Sequence, residues 1–116
     1  MGGGGEDSRV AYEQGNYELA FTKLKELADL GDAKAQTTLG HLYTNGLGVT
    51  RNDTEALRLF KLAADQGDAF AQGSLGGMYF EGRGVTKNYD YAKYWLKKAA
   101  AQGDAPAQEV LKKMAW

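Results

Sequence analysis

Apolar positions recur along this chain at helical spacing, in short runs opened by Asp or Asn and closed by Gly. Ala35, Leu39, Leu42 and Tyr43 fall on one face of a helix expected from about Ala33 to Thr44. Ala71, Leu75, Met78 and Tyr79 do the same for a helix from about Ala69 to Phe80. Asp32 and Asp68 stand immediately before these helices, where a carboxylate accepts from the free N–H groups of the first turn. Gly46 and Gly82 close them, as residues that enter the left-handed region without steric cost. A partner helix then starts after Asn52, with Ala56, Phe60, Ala63 and Ala64 inward, and after Asn88, with Ala92, Leu96, Ala99 and Ala100 inward. Glu55 lies three residues beyond Asn52, which predicts a reciprocal capping box.

The two helix pairs are copies of each other. Gly31-Asp32-Ala33-Lys34-Ala35-Gln36 returns as Gly67-Asp68-Ala69-Phe70-Ala71-Gln72 and as Gly103-Asp104-Ala105-Pro106-Ala107-Gln108, in steps of 36 residues. Gly46-Leu47-Gly48-Val49-Thr50 returns as Gly82-Arg83-Gly84-Val85-Thr86, and residues 31–66 match 67–102 at 18 of 36 positions. A period of this size signals helical repeats, because one helix pair cannot cover its own apolar face and must stack on neighbours. The expectation is all-α: an α/α superhelix, a right-handed solenoid of antiparallel helix pairs with about seven helices. Its single domain covers 6–116 in about three and a half repeats, 6–30, 31–66, 67–102 and 103–116, behind a disordered glycine-rich leader at 1–5.

The ends depart from the period. Gly15-Asn16-Tyr17 shortens the first connection, between a helix near Asp7–Gln14 and one from about Asn16 to Leu30 with Ala20, Leu24, Leu27 and Ala28 inward. Ala105 to about Ala115 forms a lone final helix, in which Leu111 and Met114 keep core positions and Lys112 replaces the recurring glycine. Trp116 reads as a terminal apolar plug. Mid-helix, Gly40 and Gly76 each cost about 1 kcal/mol relative to alanine. They predict a close crossing with the alanine-rich partner helix, the gap being filled by Tyr43 or Tyr79 one turn along.

Composition narrows the function. Hydrophobic residues are 43% and charged residues 25%, ordinary for a globular protein. With 14 basic and 15 acidic residues the net charge is −1, which gives no footprint for nucleic acid. No apolar run approaches the roughly 18 residues of a membrane span. Cysteine is absent and His41 is the single histidine, so no disulfide framework, no zinc-type ligand spacing and no ready nucleophile–base pair exists. The Gly-x-Gly-Val loops follow a helix rather than a strand, so turn geometry explains them better than a phosphate cradle does. Lys97-Lys98 and Lys112-Lys113 read as solvated faces. The chain is expected to have no catalytic residues, no metal and no cofactor.

Ala-x-x-x-Leu-Gly-x-x-Tyr, then Gly-x-Gly-Val, Asn-x-x-x-Ala and Ala-Ala-x-Gln-Gly-Asp-Ala resemble the Sel1-like repeat, a relative of the tetratricopeptide repeat. The match covers about residues 7–115, and the opening Ala11 to Ala20 looks more like a tetratricopeptide unit. The resemblance implies an α/α solenoid whose first helices line a concave groove, and members that act as adaptors and scaffolds. Such proteins occur in the endoplasmic reticulum and in the bacterial cytosol and periplasm. A cysteine-rich bacterial branch is linked to β-lactam binding or hydrolysis, but its paired cysteines are missing here.

With the core face assigned, the groove side of the first helices carries Lys34, Thr37, His41 and Thr44 in one repeat and Phe70, Gly73, Gly77 and Phe80 in the next. The set expected to contact a partner is Lys34, Thr37, His41, Thr44, Phe70 and Phe80. Phe70 and Phe80 stand where Lys34 and Thr44 stand in the sister copy, so the scaffold does not demand aromatics there. The leading expectation is a monomeric module that binds a protein or peptide, without nucleic-acid binding or membrane insertion. The alternatives are a weak hydrolase and a purely structural solenoid.

Overall fold

The computed structural model describes residues 8–115; the leader at 1–5, Asp7 and Trp116 lie outside them. Seven helices and no strand occur among the described residues: α1 (Ser8–Glu13), α2 (Tyr17–Asp29), α3 (Ala33–Asn45), α4 (Asp53–Asp65), α5 (Ala69–Glu81), α6 (Tyr89–Ala101) and α7 (Ala105–Met114). They form an α-solenoid in which each helix packs on its sequence neighbours, and α5 also reaches α7. The result is elongated, 56 × 26 × 23 Å.

The caps account for where the helices begin. Asp32, Asp68 and Asp104 accept from the N–H of Ala35, Ala71 and Ala107 at 2.8, 2.9 and 3.0 Å. Asn16, Asn52 and Asn88 accept from Leu19, Glu55 and Tyr91 at 3.2, 3.0 and 3.0 Å. Each such cap contributes about 1 kcal/mol. The predicted capping box does not close. The Asn52 N–H already donates to the Tyr43 carbonyl at 2.9 Å, so it needs nothing from Glu55, whose carboxylate instead pairs with Arg58.

The small residues do something other than expected. A Cβ at Gly40 would lie 2.8 Å from Phe60 Cε1, and one at Gly76 would lie 2.7 Å from Leu96 Cγ. Small meets large here: the missing side chain is a socket for the biggest inward residue of the partner helix. Tyr43 borders the cluster that holds Phe60 and also packs edge-on against Phe21 of α2 at 5.6 Å, while Tyr79 borders the cluster that holds Leu96 and packs against Tyr91 at 5.3 Å. The second glycines of the loops are also sockets. Gly48 and Gly84 hold φ near +70°, and a Cβ would come within 2.4 Å of the Tyr17 carbonyl or 2.6 Å of the Asp53 carbonyl. Each loop thus seats its second glycine on the start of the preceding unit's second helix.

Burial extends beyond one face per helix. All the inward positions expected on α4 are buried, but so are Leu59 and Trp95, which reach back to the previous unit. Leu27, expected inward, is 41% exposed and faces an open groove instead. Leu111 and Met114 are half-buried against the last core cluster.

A polar ladder ties the units together. Gln36 donates to the Ala28 carbonyl at 3.2 Å, and Gln66 donates both to the Gly31 carbonyl at 3.1 Å and to Gln36 Oε1 at 2.9 Å. One period later Gln72 donates to Ala64 at 3.3 Å, and Gln102 to Gly67 and Gln72 at 2.9 and 3.0 Å. Buried side-chain amides are costly unless satisfied. Here the buried Gln36 and Gln72 amides are satisfied by carbonyls at the end of the preceding helix and by the glutamine one unit on, which ties the register between units.

Candidate functional site

A groove of about 860 Å³ opens between the first three helices and the start of α5. Its floor is Leu24, Leu27, Ala35, Thr37 and Thr38, and its walls carry Arg9, Tyr12, Lys34, His41 and Phe70. Rings run across it in sequence. Tyr17 meets Tyr12 edge-on at 5.4 Å, Tyr12 lies 6.5 Å from His41, and His41 lies 6.5 Å from Phe70. Phe70 sits on the first turn of α5, where Asp68 starts the helix, and is 54% exposed. An aromatic ring held open to solvent by a rigid helix is a low-entropy anchor for a bound chain.

The polar groups sort into spent and free. Asp32 and Asp68 line the groove, but each carboxylate is occupied as a helix cap. Arg9 and Lys34 have no carboxylate within ion-pair distance among the described residues. Asn45 Nδ2 approaches His41 Nδ1 at 3.1 Å, which orients the imidazole from one side. Thr37 is buried and donates to the Ala33 carbonyl, and Thr44 donates to the His41 carbonyl. Neither of these two hydroxyls is aimed at the imidazole. Among the described residues no three of His, Cys, Asp and Glu gather as metal ligands. Away from the groove, hydrogen bonding from Arg51, assisted by Arg83, holds the Asp53 carboxyl below its ordinary range.

Of the six residues expected at the site, Lys34, Thr37, His41 and Phe70 line the groove. Thr37 does so mainly with its buried stem. Thr44 and Phe80 stand apart from it; Phe80 packs on Tyr89 at 5.5 Å against the last core cluster. Arg9, Tyr12 and Leu27 were missed, since they come from the unit whose connection breaks the period. The tetratricopeptide-like run around Tyr12 was the signal that could have placed them.

The repeated hairpin recurs in known proteins. The Sel1 repeat profile matches residues 33–68 and 69–104. This chain belongs to the Sel1 repeat family. Sel1 repeat proteins are generally protein-interaction modules, and the family is mainly non-enzymatic. Among solved structures, a protective antigen of uropathogenic Escherichia coli displaying an SLR fold matches with TM-score 0.83 at 36% identity, over 92% of this chain and 25% of that one. A Sel1 repeat protein from Oxalobacter formigenes matches with TM-score 0.83 at 38% identity, over 88% and 42% respectively. This Sel1 chain thus spans a quarter of the first protein and less than half of the second. Cysteine-rich protein B of Helicobacter pylori matches with TM-score 0.73 at 23% identity, over 93% of this chain and 99% of that one, a likeness of fold. No curated protein matches this Sel1 repeat sequence. No helix of the described residues is long and apolar enough to cross a membrane.

Proposed function

We propose that this protein holds a peptide or an extended protein segment in the groove between its first three helices and the start of α5, as a non-catalytic binding module. The observation that carries the reading is the ring run from Tyr12 through His41 to the open Phe70, flanked by Arg9 and Lys34, which pair with no carboxylate among the described residues. Rings supply contact area at little entropic cost, and these cations supply orientation. Sel1 repeat proteins are generally interaction modules, which agrees with this reading.

Selection of peptides from a displayed random library, followed by mapping of the binders, tests it. The informative variant is Phe70→Lys, because Lys34 occupies the same place in the sister copy and shows that the fold accepts lysine there. Selected peptides should lose about 1–4 kcal/mol of affinity to the variant, the range for an interface anchor. Binders that crosslink away from Tyr12, His41 and Phe70, and ignore the substitution, would refute the groove.

A further inference from the structure

The outer side of α6 carries a surface that the groove does not use. Tyr89, Tyr91 and Tyr94 are 55%, 56% and 54% exposed. The equivalent positions on α4, one period earlier, are Asp53, Glu55 and Arg58, all engaged in ion pairs. The hairpin backbone is the same in both, so nothing in the fold asks for tyrosine. Tyr94 stands edge-on to the buried Trp95 at 5.0 Å, with Lys98 above it at 5.1 Å, and Lys61 of α4 lies 6.0 Å from the Trp95 ring. Tyr91, one turn from Tyr94, is braced by Tyr79. The two exposed rings are thus held in place from beneath by other aromatics.

Charge follows the same divergence. Helix α4 carries Asp53, Glu55 and Asp65 against Arg58 and Lys61, a net of −1. Helix α6 carries Lys93, Lys97 and Lys98 against Asp90, a net of +2. None of these three lysines has a carboxylate within ion-pair distance among the described residues. Unpaired lysines beside ordered, exposed rings complement an anionic chain that also brings apolar side chains.

We propose that the Tyr91–Tyr94–Lys97–Lys98 face of α6 is a second docking surface, which takes a short acidic protein segment bearing aliphatic or aromatic side chains. A single nucleic-acid strand would also favour rings and lysines. It is disfavoured because the chain as a whole carries −1 and so offers a polyanion no long-range attraction. A short acidic segment needs only the local complement. The surface is independent of the groove, since no α6 residue lines it.

The test uses the whole chain and three fluorescein-labelled probes: a peptide of Glu-Leu and Asp-Phe pairs, a polyglutamate of equal length, and an oligothymidine. Fluorescence anisotropy should show saturable binding of the mixed peptide, at least about tenfold tighter than polyglutamate and weakened by salt. Amide shifts on titration should cluster on α6. The decisive variant is Tyr91→Glu with Tyr94→Arg, which installs the pair that α4 already carries and so preserves the fold, as circular dichroism would verify. Binding should fall about tenfold or more, and Lys97→Glu with Lys98→Glu should remove the salt-sensitive part. Absent saturable binding, equal binding of polyglutamate, shifts centred on the groove, or equal binding by the folded tyrosine variant would each overturn the proposal. Tighter binding of oligothymidine through these same residues would do so too.

Discussion

The two full units, α3–α4 and α5–α6, are nearly one object drawn twice, and their differences sort by depth. Inside, the second copy changes only size: the socket at Gly40 takes Phe60, the socket at Gly76 takes Leu96, and Leu59 becomes Trp95. Outside, it changes chemistry: Lys34 becomes Phe70, and the charged trio on α4 becomes three tyrosines on α6. The lesson is that the scaffold specifies caps, sockets and the glutamine ladder, and leaves the rest free to diverge toward partners. Every prediction below sets one copy against the other.

The largest effect should come from the loop sockets. Gly48→Ala and Gly84→Ala each place a Cβ into the carbonyl of a facing helix start while holding φ near +70°. The left-handed backbone costs about 1–2 kcal/mol for a non-glycine residue, and overpacking adds about 1–3 kcal/mol. Both substitutions should therefore lower stability by about 2–5 kcal/mol in denaturant titrations. Because the contact is to backbone, which cannot swing aside, the two copies should suffer alike. A loss confined to one copy would mean that the shared loop geometry is not what stabilises them.

The ladder should come next. Gln102→Ala leaves Gly67's carbonyl and Gln72 Oε1 without their shared donor, and Gln66→Ala does the same to Gly31 and Gln36. The glycine carbonyls are exposed and only the glutamine oxygens are part-buried, so losing the donor costs about 0.5–1.5 kcal/mol. Hydrogen exchange should rise at the junction that each glutamine spans and not at the other. Equal exchange at both junctions would show that the ladder does not hold register locally.

These contrasts also show what could be read without coordinates. Periodicity, caps and the two-helix unit were legible because they are local: Asp32 accepts from a residue three positions on. Gly40 was not, since a helical wheel tells which face a glycine occupies but not that Phe60 fills it. Leu59 and Trp95 escaped because a solenoid helix buries a flank against the previous unit as well as its central stripe. Gln36 was visible in the repeated motif, yet its partner lies 30 residues away. At the groove, Lys34, His41 and Phe70 followed from the repeat, whereas Tyr12 and Leu27 belong to the unit that breaks it. Phe80 looked like Phe70 in the alignment, but Tyr89, absent from the sister copy, gives it a packing partner.

The smallest effect concerns acid. Hydrogen bonding from Arg51, then Arg83, lowers the Asp53 pKa; hydrogen bonding from Arg58 lowers that of Glu55. A carboxyl whose folded pKa lies below its unfolded one stabilises the protein above the ordinary carboxylate range, and that contribution is lost as pH falls through the folded value. Asp53 also stands in the first turn of α4, where the helix dipole favours its charge. The arginine partners are more than half exposed, so solvent weakens each pair. The second copy has Tyr89 and Tyr91 at these positions, so it carries no carboxylate there. Asp53→Asn should therefore flatten the decline of the denaturation midpoint between neutral pH and about pH 3, while Tyr89→Phe leaves it as steep as in the parent. Arg83 reaches Asp53 from the second copy's loop at 3.4 Å, so Arg83→Met should reproduce part of the flattening. If Asp53→Asn keeps the parent's slope, the acid sensitivity lies outside this junction, and the copies differ in charge without differing in how they respond to it.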